Sequence, residues 1–304
     1  MDFPVKGILP SLGLIISALI TILIGQFVIG VDPGTLSVYT LFATWFAFII
    51  STGGGWPLQK VKAPIRGFIF LAVSLAYGLL HMWAQPNIFG FSADYYWPAI
   101  ANLFLAIGIT IAFDNKLVQG LKTPHAMIMN ILFWYLLAFG LFFFVPFLNG
   151  MIPSIWFAFF VLFFFWMDRY PISELQQPAK AILSFAVMVG CGILLNYIFK
   201  WFFKTDFFQP DAGFWFAAFV FWLVITSWVF DTWPFQKIKQ PKKGLIGLLL
   251  TVALASATFC IVVFATKLSL PDAVSYTWIF ICWAYMWPIC LDKWPARNKP
   301  EEKA

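Results

Sequence analysis

The chain has 304 residues, of which 62% are hydrophobic and 11% charged, with 19 Lys and Arg against 13 Asp and Glu and a net charge of +6. A mean hydropathy of +0.87, with apolar runs of roughly 20 residues that match the thickness of a bilayer core, excludes a soluble globular protein. The basic residues are spread over many loops and form no dense patch, so the pI near 9.1 reports membrane topology and no nucleic-acid partner is expected.

In chain order, the apolar stretches predict membrane helices over residues 8–30, 36–52, 64–84, 95–113, 124–147, 152–167, 179–202, 213–230, 244–266 and 273–291. The first span is too long, and too much a part of the pattern that follows, to be a cleaved signal peptide, and the chain is expected to be mature as written.

A short pattern recurs at Pro4-Val5-Lys6-Gly7, Pro64-Ile65-Arg66-Gly67, Pro124-His125-Ala126-Met127, Pro178-Ala179-Lys180-Ala181 and Pro241-Lys242-Lys243-Gly244, spaced 60, 60, 54 and 63 residues. Such periodicity marks a repeat architecture. The expected fold is an all-α polytopic membrane protein, a single transmembrane domain over 1–304. It contains ten transmembrane helices as five parallel two-helix hairpins, with repeats at about 4–63, 64–123, 124–177, 178–240 and 241–304.

Odd-numbered spans carry small residues, such as Gly13, Ser17, Ala18, Thr21 and Gly25, whereas even-numbered spans are aromatic, most plainly between Trp156 and Trp166. Small residues permit close helix approach. The composition therefore predicts small-residue odd helices inside and aromatic even helices outside. Fourteen residues after each repeat proline stand Ala18, Gly78, Ala138, Gly192 and Ala255, the expected helix-packing positions. A sealed contact and the waist of a pore are both compatible with that level.

The loops set the orientation. Sixteen basic residues against eight acidic ones fall on the side shared by the termini, and three against five fall opposite. By the positive-inside rule both termini are cytoplasmic, and a prokaryotic plasma membrane is the expected location. Two inner loops, from Trp56 to Gly67 and from Trp233 to Gly244, agree at seven of twelve positions. Aromatic rings at headgroup level, prolines at helix ends and lysines reaching phosphate explain this motif as an anchor. A cytoplasmic platform for a partner or for anionic lipid is the alternative. Eleven residues before three Trp-Pro or Trp-Pro-like loops lie Trp45, Trp222 and Trp283.

No Asp, Glu, Lys or Arg lies deep in a predicted span, which argues against a charge-coupled carrier and, with an apolar lining, against an open ion channel. The only histidines are His81 and His125, so an intramembrane bis-histidine haem site is excluded. Cys191, Cys260, Cys282 and Cys290 lie in spans without metal-ligand spacing and are expected to be apolar fillers. No metal, cofactor or catalytic constellation is expected.

Tyr77, His81, Asn102 and Asn196 are the candidate ligand-binding residues, matched in depth and suited to a neutral, weakly polar molecule between aromatic walls. Mutual hydrogen bonding between helices is the competing explanation. Two functions are compatible with this pattern: a permease or facilitator for a small neutral or hydrophobic solute, or a non-catalytic membrane subunit offering an anchor, quinone or lipid site to a larger complex. The bilayer is the certain partner, with partner subunits or a homo-oligomer as further expectations.

Overall fold

The computed structural model describes residues 4–52, 56–88, 90, 103, 108–110, 112–113, 120–144, 166–203 and 210–291. These residues form α1 (Pro4–Leu23, continued as a π-helix Ile24–Ile29), α2 (Pro33–Thr52), α3 (Ala63–Asn87), α4 (Thr123–Phe144), α5 (Ala179–Phe203), α6 (Pro210–Val224, continued as a π-helix Ile225–Val229), α7 (Lys242–Ala265) and α8 (Leu270–Leu291). Among the described residues, seven helices (α1 to α4 and α6 to α8) are long and apolar enough to cross a membrane. The spans expected at 95–113 and 152–167 lie largely outside the described residues.

Local signals explain several helix ends. Gly30, at φ +79°, closes α1, and the Val31 N–H donates to the Gly25 carbonyl at 2.9 Å, a glycine-capped terminus. Asp32 starts α2 by accepting from the Thr35 N–H at 2.9 Å, and bonds from Thr35 hold the Asp32 carboxyl below its ordinary range. Ser269 and Asp272 cap α8 reciprocally, at 2.6 and 3.3 Å.

The packing order reverses the sequence expectation. In the most apolar stretch of each helix, 72% of residues are buried in α2, 72% in α8 and 67% in α6, against 17% in α1, 33% in α3, 22% in α4 and 11% in α7. Among the described helices, the even-span α2, α6 and α8 are the inner ones, and α1, α3, α4 and α7 lie outside them. The physical reason is that a small-residue stripe is a receptor for a large ring. Pro10, Leu14 and Ala18 of α1 are buried, as are Phe70, Ser74 and Gly78 of α3, Asn130, Trp134 and Ala138 of α4, and Gly247, Thr251 and Ala255 of α7. The faces between them carry exposed Leu, Ile and Phe that suit lipid. A methyl group on Gly13 would fall 2.3 Å from the Trp287 ring, on Gly247 2.3 Å from Trp166, and on Gly7 2.5 Å from Phe230. The glycines are there so that inner rings can reach the outer backbone.

The principal contacts also join helices other than the expected hairpin partners. α8 packs on α1, α2, α3 and α6; α2 packs on α3 and α4; and α6 packs on α7. The last helix therefore closes on the first three. Of the expected packing positions, Ala18, Gly78, Ala138 and Ala255 are all buried, while the surroundings of Gly192 on α5 lie outside the described residues. These positions seat neighbouring side chains: a methyl on Gly78 would fall 2.8 Å from the Tyr39 carbonyl oxygen.

Two loops, at 166–178 and at 229–241, share their internal bonding. Tyr170 N–H to Met167, Ile172 to Arg169 and Leu175 to Ile172 are matched by Trp233 to Phe230, Phe235 to Thr232 and Ile238 to Phe235. In each loop a glutamine then clamps the following helix. Gln177 donates to the Ala112 carbonyl at 3.1 Å and accepts from the Ala181 N–H at 3.2 Å. Gln240 donates to the Trp166 carbonyl at 2.6 Å and to Asp168 at 3.0 Å, and accepts from the Gly244 N–H at 3.1 Å. Lys243 adds a 3.0 Å ion pair with Asp168.

The seats make a sharp prediction. At Gly67 an added methyl would fall 2.4 Å from the Cys290 backbone oxygen, whereas Gly140 has open space. Gly67→Ala is expected to destabilise the protein by about 1–3 kcal/mol through overpacking, and Gly140→Ala to leave it unchanged or slightly more stable. Thermal unfolding in mild detergent, with both variants compared to wild type, checks this.

Candidate functional site

The described intramembrane polar side chains gather most densely where α3 meets α2 and α4. Tyr77, His81 and Gln85 follow one another at four-residue intervals and so form one stripe along α3. His81 is 6% exposed and Gln85 2%. The Gln85 Nε2 donates to His81 Nε2 at 2.7 Å, and the hydroxyls of Tyr77 and Tyr135 each lie 3.1 Å from His81 Nδ1. The two tyrosine hydroxyls also bond each other, which ties α3 to α4.

Aromatic rings of α2 wall the cluster. Phe42 lies 4.0 Å from the His81 ring, centroid to centroid, Phe46 stacks on Tyr77 at 4.3 Å and 12°, and Trp45 meets Tyr135 edge-on at 4.9 Å. Nothing charged is among these contacts. The site is a neutral hydrogen-bonding island in an apolar surround, where each interaction gains strength and each unmet group costs more. Two atoms are unmet: the Trp45 indole N–H and the Gln85 carbonyl Oε1 are buried without a partner.

Of the residues expected from sequence, Tyr77 and His81 are brought together. Asn102 lies outside the described residues, and so does the side chain of Asn196, whose helix α5 packs against α6. Tyr135, Gln85, Trp45 and Phe42 were not anticipated. Gln85 was legible as the next residue on the His81 stripe; Tyr135 and the rings of α2 required the helix pairing.

A second feature lies on the other flank of the α2–α3 contact. A groove of about 440 Å³ runs between α1, α2, α3 and α8, lined by Ile20, Ile24, Leu36, Leu75, Leu79 and Met82, with Thr21 and Trp283 in its wall. Those two polar groups are satisfied internally, since Trp283 Nε1 donates to Thr21 Oγ1 at 3.0 Å and Thr21 donates to the Ser17 carbonyl at 2.9 Å. The groove therefore offers an apolar wall, of a volume within the range of small-molecule sites.

No group of three His, Cys, Asp or Glu side chains that could hold a metal ion occurs among the described residues. No known protein family, curated protein or solved structure matches the chain.

A double-mutant cycle tests the α3–α4 link. Tyr77→Phe and Tyr135→Phe are each expected to cost about 0.5–1.5 kcal/mol, and the double variant less than their sum by about 0.6 kcal/mol or more. Equilibrium unfolding in micelles or bicelles gives all four values.

Proposed function

We propose that the protein is an integral membrane permease or facilitator for a small neutral or hydrophobic solute. The observation that carries this reading is the His81 cluster: four uncharged polar side chains from two helices, His81 and Gln85 buried and Tyr77 and Tyr135 half-buried, with the Gln85 carbonyl oxygen unmet. Polar groups inside a membrane are costly and mark pathways or sites when they are not fully spent on packing. Its neutrality favours an uncharged solute, and no charge among its contacts is available to drive coupling.

The finer architecture belongs to the same proposal. Ten helices form five repeats with both termini cytoplasmic in a prokaryotic plasma membrane, the even helices form an inner set, and the last repeat closes onto the first. The contacts of α8 with α1 and α2, the matched loops around Gln177 and Gln240, and the common burial register of the outer helices support this arrangement.

A second reading, a non-catalytic subunit of a larger membrane complex, has its own support. The apolar groove beside Thr21 and Trp283 suits a lipid or quinone tail taken from the bilayer. Native mass spectrometry of gently extracted protein separates the two: stoichiometric foreign chains favour the subunit, and a lone chain or homo-oligomer favours transport.

Flux into proteoliposomes tests the first reading directly. A panel of urea, glycerol and acetamide is expected to include at least one solute that enters faster than into empty vesicles, without potassium or proton conductance. Gln85→Leu is expected to slow that entry about three- to tenfold, the worth of one hydrogen bond. Ion conductance, or entry indifferent to Gln85, would overturn the assignment.

A further inference from the structure

Three tryptophans occupy the same place relative to the inner loops, and two of them make the same bond. Trp222 Nε1 donates to Thr258 Oγ1 at 2.8 Å, and Trp283 Nε1 donates to Thr21 Oγ1 at 3.0 Å. Each threonine donates its own proton back along its helix, Thr258 to the Leu254 carbonyl and Thr21 to the Ser17 carbonyl, both at 2.9 Å. Indole and hydroxyl are thus completely satisfied, and these two seams between an inner and an outer helix are sealed without any external molecule.

Thr21 and Thr258 stand seventeen residues after their repeat prolines, and the residue at that count on α3 is His81. An imidazole cannot bond its own helix carbonyl in this way. His81 is turned to Gln85, Tyr77 and Tyr135, and the indole N–H of the third tryptophan, Trp45, is left buried and unpartnered with the residue 0% exposed. One seam of the structure has exchanged a seal for an unmet donor, and the Gln85 carbonyl in the same cluster is an unmet acceptor.

The hydrogen inventory points the same way. With Gln85 Nε2 donating to His81 Nε2, the imidazole proton sits on Nδ1 and goes to a tyrosine oxygen. Of the two tyrosine protons one spans the Tyr77–Tyr135 contact, and the other finds no acceptor at His81 or at the fellow tyrosine. Buried donors and acceptors left unmatched in a membrane are costly, because lipid offers them no partner.

We propose that the seam between α2, α3 and α4 at Trp45 and His81 is a binding site for a small neutral molecule that both donates and accepts hydrogen bonds. The inference deepens the transport reading and rests on it only for the ligand's role; the site itself rests on the unmet groups. A molecule with both functions can answer whichever of the unmet groups it reaches, and Gln85 presents a donor or an acceptor in either orientation of its amide. Water is its smallest occupant, and solutes such as urea share its chemistry.

The test uses the full-length protein in nanodiscs with ¹⁵N-labelled tryptophan indoles, the Trp45 signal being the one lost in Trp45→Phe. The Trp45 N–H is expected to exchange with D2O about tenfold or more faster than those of Trp222 and Trp283 if water is the occupant. It is expected to shift saturably on urea addition if a solute is. In His81→Thr, which restores the threonine of the sealed seams, the Trp45 signal should join the other two and lose both responses. A wild-type Trp45 that exchanges as slowly as its counterparts and ignores urea overturns the site without reference to any variant. Flux that persists while Trp45 is silent would sink the site and spare the permease. A responsive Trp45 in a protein without flux would do the reverse.

Discussion

In a bilayer no hydrophobic pressure drives one helix onto another, because lipid chains are as apolar as leucine. What holds this chain together is close-range dispersion between an aromatic ring and a backbone stripped of side chains. Trp287 of α8 against Gly13, Tyr39 of α2 against Gly78 and Phe230, the residue that ends α6, against Gly7 are instances of one device, which suits the inner position of these helices. Each outer helix can then spend its remaining faces on lipid.

That device also explains where sequence reading succeeds and where it inverts. Helix positions were legible from apolar length alone: α5 at Ala179–Phe203 and α8 at Leu270–Leu291 lie within a few residues of their expected spans. Ala18, Gly78, Ala138 and Ala255 recur at one register of the sequence and are all buried. Which layer is inside was not legible. Glycine and alanine report that something comes close but not what comes close, and composition cannot distinguish a small residue facing its like from one facing a tryptophan.

The candidate site divides in the same way. Tyr77 and His81 stood out because polar residues are scarce in such a chain, and their distance of one helical turn put them on one face. Tyr135 and the rings of Phe42 and Trp45 could be assigned to them only by knowing that α2 packs on both α3 and α4. The bond from Trp222 to Thr258 shows how much information lies in a comparison within one molecule: what is satisfied at two seams defines what is missing at the third.

The reach of α8 has a consequence for how the protein is made. Gly13 enters the membrane among the first residues of the chain, and the ring that fills its seat belongs to Trp287, among the last. Gly67 likewise waits for Cys290. During synthesis, which delivers the amino-terminal part first, α2 can settle on α3, but the seats at Gly13 and Gly67 stay vacant until α8 is made. Among the described helices α8 therefore completes the packing, and a ribosome that stalls before Leu270 releases a protein in which α1 and α3 still present the open seats at Gly13 and Gly67, a state open to membrane quality-control proteases.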